Sequence, residues 1–349
     1  MPAREEFMQE DYIGLMRLLA PDLAEELGRR ALVLERIAAM APVGRRQLAL
    51  RLNLPEREVR SAATALREQG LINLDASGMT LTVKAQEILP GARAFSRAMG
   101  GLTELETRLS AAMCIPKVYV AAGDADVDER ILDDVGRMAA QQTRSMLQNG
   151  TTLAVTGGST MAAVARHMQT SIPLNVMVVP ARGGLGRSVE TQANTLAAEI
   201  AQRLGGHHRL IHLPDHMDET ARQEMLKLPE VKEVIDLLQR ADVILHGIGR
   251  ADETARERHM SSATIRRLQE QGAVAEAFGS YFDGEGRLLL AASSVGVDLA
   301  RLKPNCRMIA VAAGRRKAEA ILAVLRHQRH ESLVTDQGAA EAMLALMED

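Results

Sequence analysis

The chain has 349 residues, about twice the usual size of one folding unit, so two domains are expected. Its 42 Lys+Arg against 45 Asp+Glu leave a formal charge of -3, which excludes a globally basic nucleic-acid coat and an acidic disordered tail; any anion binding must be local. No apolar run approaches the roughly 18 residues needed to cross a bilayer, and the opening Met1-Pro2-Ala3-Arg4-Glu5-Glu6 is acidic where a signal peptide is basic and then apolar. A cytoplasmic protein without membrane contact is expected.

The two cysteines, Cys114 and Cys306, form no CxxC and no Cys/His cluster, so neither a structural metal nor a disulfide framework is expected. With no Trp, 4 Phe and 3 Tyr, the chain lacks the aromatic surface that stacks exposed bases of single-stranded nucleic acid.

From Asp11 to Leu89 apolar residues recur at helical spacing in short blocks. Arg30–Met40 predicts one helix and Gly44–Leu52 a second. After Asn53-Leu54 the proline of Pro55–Gly70 suits the first turn of a third, which buries Val59, Ala62, Ala63 and Leu66 and stops at Gly70. Leu71–Leu74, the turn Asp75–Gly78 and Met79–Thr82 then read as a two-stranded wing. The whole predicts a winged helix-turn-helix over residues 1–90. Between Arg29 and Arg67 there are nine Arg against three acids, a local excess in an acidic protein. The first turns of the third helix would enter the major groove of double-stranded DNA, with Arg57, Arg60 and Ser61 reaching base edges or phosphates. Arg45 and Arg46, at the start of the second helix, would lie along the phosphate backbone.

Residues 91–114 predict a linker helix with Leu102, Leu105 and Leu109 on one face, able to dock on its own domain or on a partner chain. From residue 115 to 349 the pattern alternates between amphipathic helices and apolar runs. These runs are Lys117–Ala122, Thr151–Val155, Leu174–Pro180, Arg209–Leu213, Val243–His246, Arg307–Ala312 and Ser332–Thr335. Such alternation predicts an α/β domain with a largely parallel sheet.

Four of those runs end in glycines or cations: Thr156–Thr160, Ala181–Gly186, His246–Gly249 and Gly314–Lys317. Glycine pairs let main-chain amides approach an anion, and a helix N-terminus adds partial positive charge. The ends of parallel strands are where open α/β sheets bind ligands, so one small polyanionic ligand is expected. No loop fits the dinucleotide fingerprint or the Walker loop, and no cofactor is implied.

The motifs VTGGST, VPARGGLG, QANTLA, HGIG, AVAEAFGSYF, Ser293-Ser294-Val295-Gly296, KAEAI and LVTDQGAA, following a winged helix, resemble the sugar-phosphate-responsive repressors of the SorC family over nearly the whole chain. The resemblance implies a C-terminal domain similar to sugar-phosphate isomerases and deaminases that acts as a sensor. It further implies fructose-1,6-bisphosphate as inducer, operator DNA upstream of a glycolytic operon, and a homo-oligomer, a tetramer built from dimers. Carried over by motif, Gly157, Gly158, Ser159 and Thr160 would hold one phosphate with Lys317, Arg182 and Gln192 would serve the other end, Glu276 would accept sugar hydroxyls, and Arg258 would join them. The sequence departs from the family pattern at Arg315-Arg316, where relatives carry a small hydroxyl pair, so a tighter pocket or a different phosphosugar is conceivable. Both arginines could equally point to solvent.

The competing reading is an active sugar-phosphate isomerase or deaminase, for which Glu276, Asp252 and His246 supply acid/base candidates without a compelling dyad. The fused winged helix favours the regulator.

Overall fold

The computed structural model describes residues 13–348, apart from 17, 53, 185–187, 214–216 and 292–293. The opening six residues, the start of the helical pattern at Asp11, Asn53 of the turn, Leu185 and Gly186 of the second glycine loop and Ser293 therefore lie outside the described residues. The chain divides into two compact units, one up to Glu104 and one from Leu105 onward.

The first unit begins with a helix Pro21–Met40, longer at its start than the expected Arg30–Met40, followed by Arg45–Leu52 and Glu56–Glu68. Their inward residues Val33, Leu34, Ile37, Leu48, Val59, Ala62 and Leu66 form one core with Ile72 and Met79 of the wing. The wing pairs β1 (Ile72–Asp75) antiparallel with β2 (Gly78–Leu81). Asp75 Oδ1 accepts from the amides of Ser77 (2.8 Å) and Gly78 (3.2 Å), which turns the hairpin. Gly78 adopts φ 132°, and a Cβ there would stand 2.8 Å from the main chain of Val43; only glycine lets the wing lie against the strand-like entry to the second helix. A helix Val83–Met99 follows, capped by Thr82, whose Oγ1 accepts from Ala85 N (3.2 Å).

The helix Leu102–Met113 leads into the second unit. Beyond Leu105 it docks on its own sheet domain: Glu106 Oε1 accepts from Val120 N (2.6 Å), and Arg108 pairs with Glu348 (2.8 Å). The strands there are β3 (Lys117–Ala121), β4 (Thr152–Val155), β5 (Met177–Pro180), β6 (His207–His208), β7 (Val243–Gly247), β8 (Gly249–Arg250), β9 (Ala273–Ala277), β10 (Ser280–Asp283), β11 (Leu288–Leu290), β12 (Arg307–Val311) and β13 (Ser332–Asp336). A parallel sheet runs β3-β13-β12-β7-β4-β5-β6. Its strands are apolar on both faces because helices cover both sides: Leu153, Val155, Val243, Leu245, Ile309, Val311 and Val334 share one core with Met161, Val164, Leu196 and Ile200, and Ala154, Ile244, Met308, Ala310 and Leu333 are buried on the other face.

Two expectations are corrected here. Arg209–Leu213 is not a strand: the main chain of Ile211 is satisfied by the side chain of Asn194, which donates to Ile211 O (2.7 Å) and accepts from Ile211 N (3.1 Å), so no neighbouring strand is needed. The edge strand lies earlier, at His207–His208, and β5 begins at Met177 rather than Leu174. A second, antiparallel sheet in the order β11-β10-β9-β8 was not foreseen; its small core contains Ala251, Ala255, Leu268 and Tyr281.

Candidate functional site

The four glycine or cation loops follow β12, β7, β4 and β5, which are consecutive neighbours in a parallel sheet, so all four open on one edge. Their close packing shows why glycines recur. A Cβ on Gly157 would stand 2.5 Å from the carbonyl oxygen of Thr191. Gly247 N donates to Thr156 Oγ1 (3.0 Å), and a Cβ on Gly249 would meet Thr254 at 2.4 Å and Glu276 Oε2 at 3.6 Å.

Gly158, at φ 115°, precedes the helix Ser159–His167, and its amide is already used: it donates to Thr191 O (2.8 Å). The first helical amides, starting with exposed Ser159 and buried Thr160, lie at the same loop and have no partner within the helix. Gln192 caps the helix Ala193–Leu204 and abuts Gly157.

Lys317 is partly buried in the turn after β12, and its amide donates to Gly314 O (2.9 Å). Burial holds its ammonium below the usual lysine range, while Glu253, Asp126, Glu257 and Asp336 pull the other way. The buried carboxylate of Asp336 fixes this turn: it accepts from Ala125 N (2.6 Å), from Gly314 N through both oxygens (3.1 and 3.0 Å), and from Ala339 N (3.0 Å). Desolvation nonetheless raises its pKa. Asp336 was not singled out from the sequence, although a lone acid at the end of an apolar strand, before Gln-Gly, was a usable signal.

Arg315 and Arg316 are exposed. Arg315 pairs with Asp124 (3.3 Å) and Glu341 (3.1 Å), and Arg316 with Asp126 (3.1 Å) and Glu253 (3.4 Å). Both side chains point to solvent, as the second of the two expectations had it, and acidic neighbours pair with them along the surface.

Arg182 and Arg258 line a single cavity of about 240 Å³ together with Thr264, Arg267, Gly279 and Tyr281. Arg258 Nη2 donates to Glu276 Oε1 (2.9 Å), an oxygen that also accepts from Gly279 N (2.5 Å), so buried Glu276 is held at the tip of the β9–β10 hairpin. The acid/base candidates are engaged elsewhere: Asp252 pairs with Arg250 (3.0 Å), and His246 is fully buried against His330.

In the first unit, Arg57, Arg60 and Ser61 are exposed on one face of the third helix, opposite buried Val59, Ala62, Ala63 and Leu66. Arg45 and Arg46 are exposed at the start of the second helix. Glu56 lies within 3.7 Å of Arg46 and 3.5 Å of Arg60, linking the two helices' cations at the surface.

The comparisons with known proteins agree with this geometry. Residues 97–345 match the Sugar-bind family, described as "Putative sugar-binding domain", and residues 27–95 match the CggR N-terminal DNA binding domain. The chain is 38% identical to the central glycolytic genes regulator of Priestia megaterium, covering 95% of this chain and 98% of that one. It is 35% identical to the protein of the same name from Bacillus subtilis, with the same coverage. Among solved structures, a SorC-family transcriptional regulator of Enterococcus faecalis is 34% identical with a TM-score of 0.63, covering 69% of this chain and 99% of that one. The full-length sorbitol operon regulator SorC of Klebsiella pneumoniae, at 22% identity and a TM-score of 0.64, covers 86% of this chain and 94% of its own and shares the fold. These relatives are regulators rather than enzymes. A DNA-binding domain joined to a sugar-binding domain makes this a sugar-responsive transcription regulator, and the chain belongs to the SorC family, among the central glycolytic genes regulators.

Proposed function

We propose that the protein represses a glycolytic operon and releases its operator when fructose-1,6-bisphosphate occupies the sugar-binding domain. In this reading residues 1–90 read double-stranded DNA, 91–114 link, and 115–349 bind effector and assemble the chain into dimers and a tetramer in the cytoplasm. The observation that carries it is the meeting of two cationic ends at one sheet edge. Lys317 follows β12 and the Ser159 helix start follows β4 on that edge, and Arg182, after β5, lines a cavity with Arg258. A ligand with a phosphate at each end of a short sugar offers charge for cations on different loops of that edge. Gln192 and Glu276 are the polar groups available for hydroxyls in between. The relatives named for central glycolytic genes supply the physiological setting.

An effector acts only if two conformations bind it unequally, and the operator must then sense the same inequality. A coupling of about 1–3 kcal/mol, a several-fold to hundred-fold change in operator affinity, is the usual range. The test is thermal melting and operator binding of the full chain with and without millimolar fructose-1,6-bisphosphate. The expected result is a raised melting temperature and weakened operator binding. Unchanged melting and unchanged operator affinity would overturn the proposal.

A further inference from the structure

We infer that Ser294 is a further effector contact, its hydroxyl donating to an oxygen of the phosphate seated beside Arg182; this inference rests on the effector reading above. A short antiparallel clamp brings the two residues together, joining the loop after β5 to the segment after β11. Gly183 N donates to Val295 O (2.7 Å), Val297 N donates to Ala181 O (2.7 Å), and Arg182 stands opposite Gly296. Gly296 makes this approach possible, since a Cβ there would stand 2.8 Å from both Ala181 O and the Cβ of Arg182. Ser294, two residues before Gly296, falls on the same side of the clamp as Arg182 by strand alternation, and both line the cavity that Arg258 shares.

Nothing within the chain accounts for the burial of this hydroxyl. Ser294 is 7% exposed, and its side chain makes no hydrogen bond with any described residue. A buried hydroxyl without a partner is costly, so such groups are rare away from places that hold water or a ligand. Its polar neighbours on the cavity are already engaged: Arg258 pairs with Glu276 (2.9 Å), and Thr264 Oγ1 lies 2.8 Å from Ser261 Oγ. A cavity of about 240 Å³ has room for water, which serves the serine until a ligand displaces it; the ligand must then supply the lost bond.

The chemistry of that bond follows from the donors at hand. A phosphate monoester is close to a dianion at neutral pH and offers acceptor oxygens only. A hydroxyl donating to an anionic oxygen makes a shorter and stronger bond than one donating to a neutral oxygen. Arg182 brings charge to this end of the ligand, and Ser294 adds a directed donor at its side. A sugar hydroxyl in the same place would return only a neutral bond.

The experiment is calorimetric titration of the full chain and of Ser294→Ala, Ser294→Thr and Ser294→Val with fructose-1,6-bisphosphate. Ser294→Ala is expected to weaken binding about tenfold. Thr and Val have nearly the same shape and differ by the hydroxyl, so Ser294→Thr should bind about tenfold more tightly than Ser294→Val. Without sugar, Ser294→Ala should melt as wild type does, because no bond within the chain is lost. Equal affinities for wild type and Ser294→Ala, or for the Thr and Val variants, would overturn the inference, as would a Ser294→Ala chain that melts lower yet binds as tightly.

If the wild-type chain does not bind the bisphosphate, the effector reading fails, and the role of Ser294 is still decided with inorganic phosphate. Thermal protection by phosphate that survives Lys317→Ala and disappears in the Lys317→Ala/Ser294→Ala double variant supports a phosphate contact at Ser294. Equal protection of the two variants, or none in Lys317→Ala alone, would overturn it.

Discussion

The Nε2 atoms of His246 and His330 face each other at 2.8 Å inside the sheet domain. Each Nδ1 faces a main-chain carbonyl, Gly247 O at 3.2 Å and Gln328 O at 2.7 Å. Carbonyls only accept, so both Nδ1 atoms are best satisfied as donors, yet the Nε2 contact also needs a proton. In the neutral pair one ring must give up its Nδ1–H. His246, with the longer carbonyl contact, is that ring.

Burial outweighs the gain from the extra proton. It lowers the His330 pKa to about 4 and also places His246 well below the usual histidine value of 6.5; His330 further depresses His246. The unfolded chain therefore takes up protons before the folded one does, so this contribution to stability is complete above pH 6.5 and is lost as pH falls toward 4. Denaturant unfolding across that window should show it. Each proton contributes a slope of about 1.4 kcal/mol per pH unit, and His330→Gln should flatten the wild-type curve. Parallel curves would refute the assignment.

Gly157→Ala should destabilise the second unit by about 1–3 kcal/mol, because its Cβ would strike the carbonyl of Thr191 rather than a movable side chain. Gly158→Ala meets no atom but must hold φ 115°, so its cost is backbone strain of about 1–3 kcal/mol. Chemical denaturation measures both. Effector binding should suffer more from Gly157→Ala, since that substitution also displaces Gln192.

Lys317→Ala and Arg182→Ala should each leave operator binding intact and abolish its response to fructose-1,6-bisphosphate. Operator titrations with and without the sugar decide this. A variant that fails to fold would mark its residue as structural instead.

Arg57→Ala or Arg60→Ala should cost about 1–3 kcal/mol on operator DNA and relax specificity, if the side chain is bidentate to a base. Arg45→Ala or Arg46→Ala should weaken all duplexes alike and lower the salt slope by about one. Equal losses on operator and random DNA for all four would refute this division.

Arg316→Ser removes exposed ion pairs, so the fold should change by less than about 1 kcal/mol. It leaves Asp126 and Glu253 uncompensated beside Lys317, and bisphosphate affinity should fall several-fold by titration. Affinity equal to wild type would mean that the pairs act only at the surface.

The sequence by itself determined the winged helix, the parallel sheet and the four glycine or cation loops at its strand ends, because these depend on local rules: apolar period, proline and glycine placement, and glycine after a strand. Val59, Ala62, Ala63 and Leu66 turn inward as their spacing requires. Only the tertiary structure decided what depends on contacts between distant segments. Asn194 takes the main-chain hydrogen bonds of Ile211 within Arg209–Leu213, and Asp336 gathers two loops and the start of the last helix. Acids at 124, 126, 253 and 341 pair with Arg315 and Arg316 at the surface. Arg267 reaches the cavity of Arg182 across 85 residues of chain. Burial and pairing are properties of the folded neighbourhood, and no window of sequence contains them.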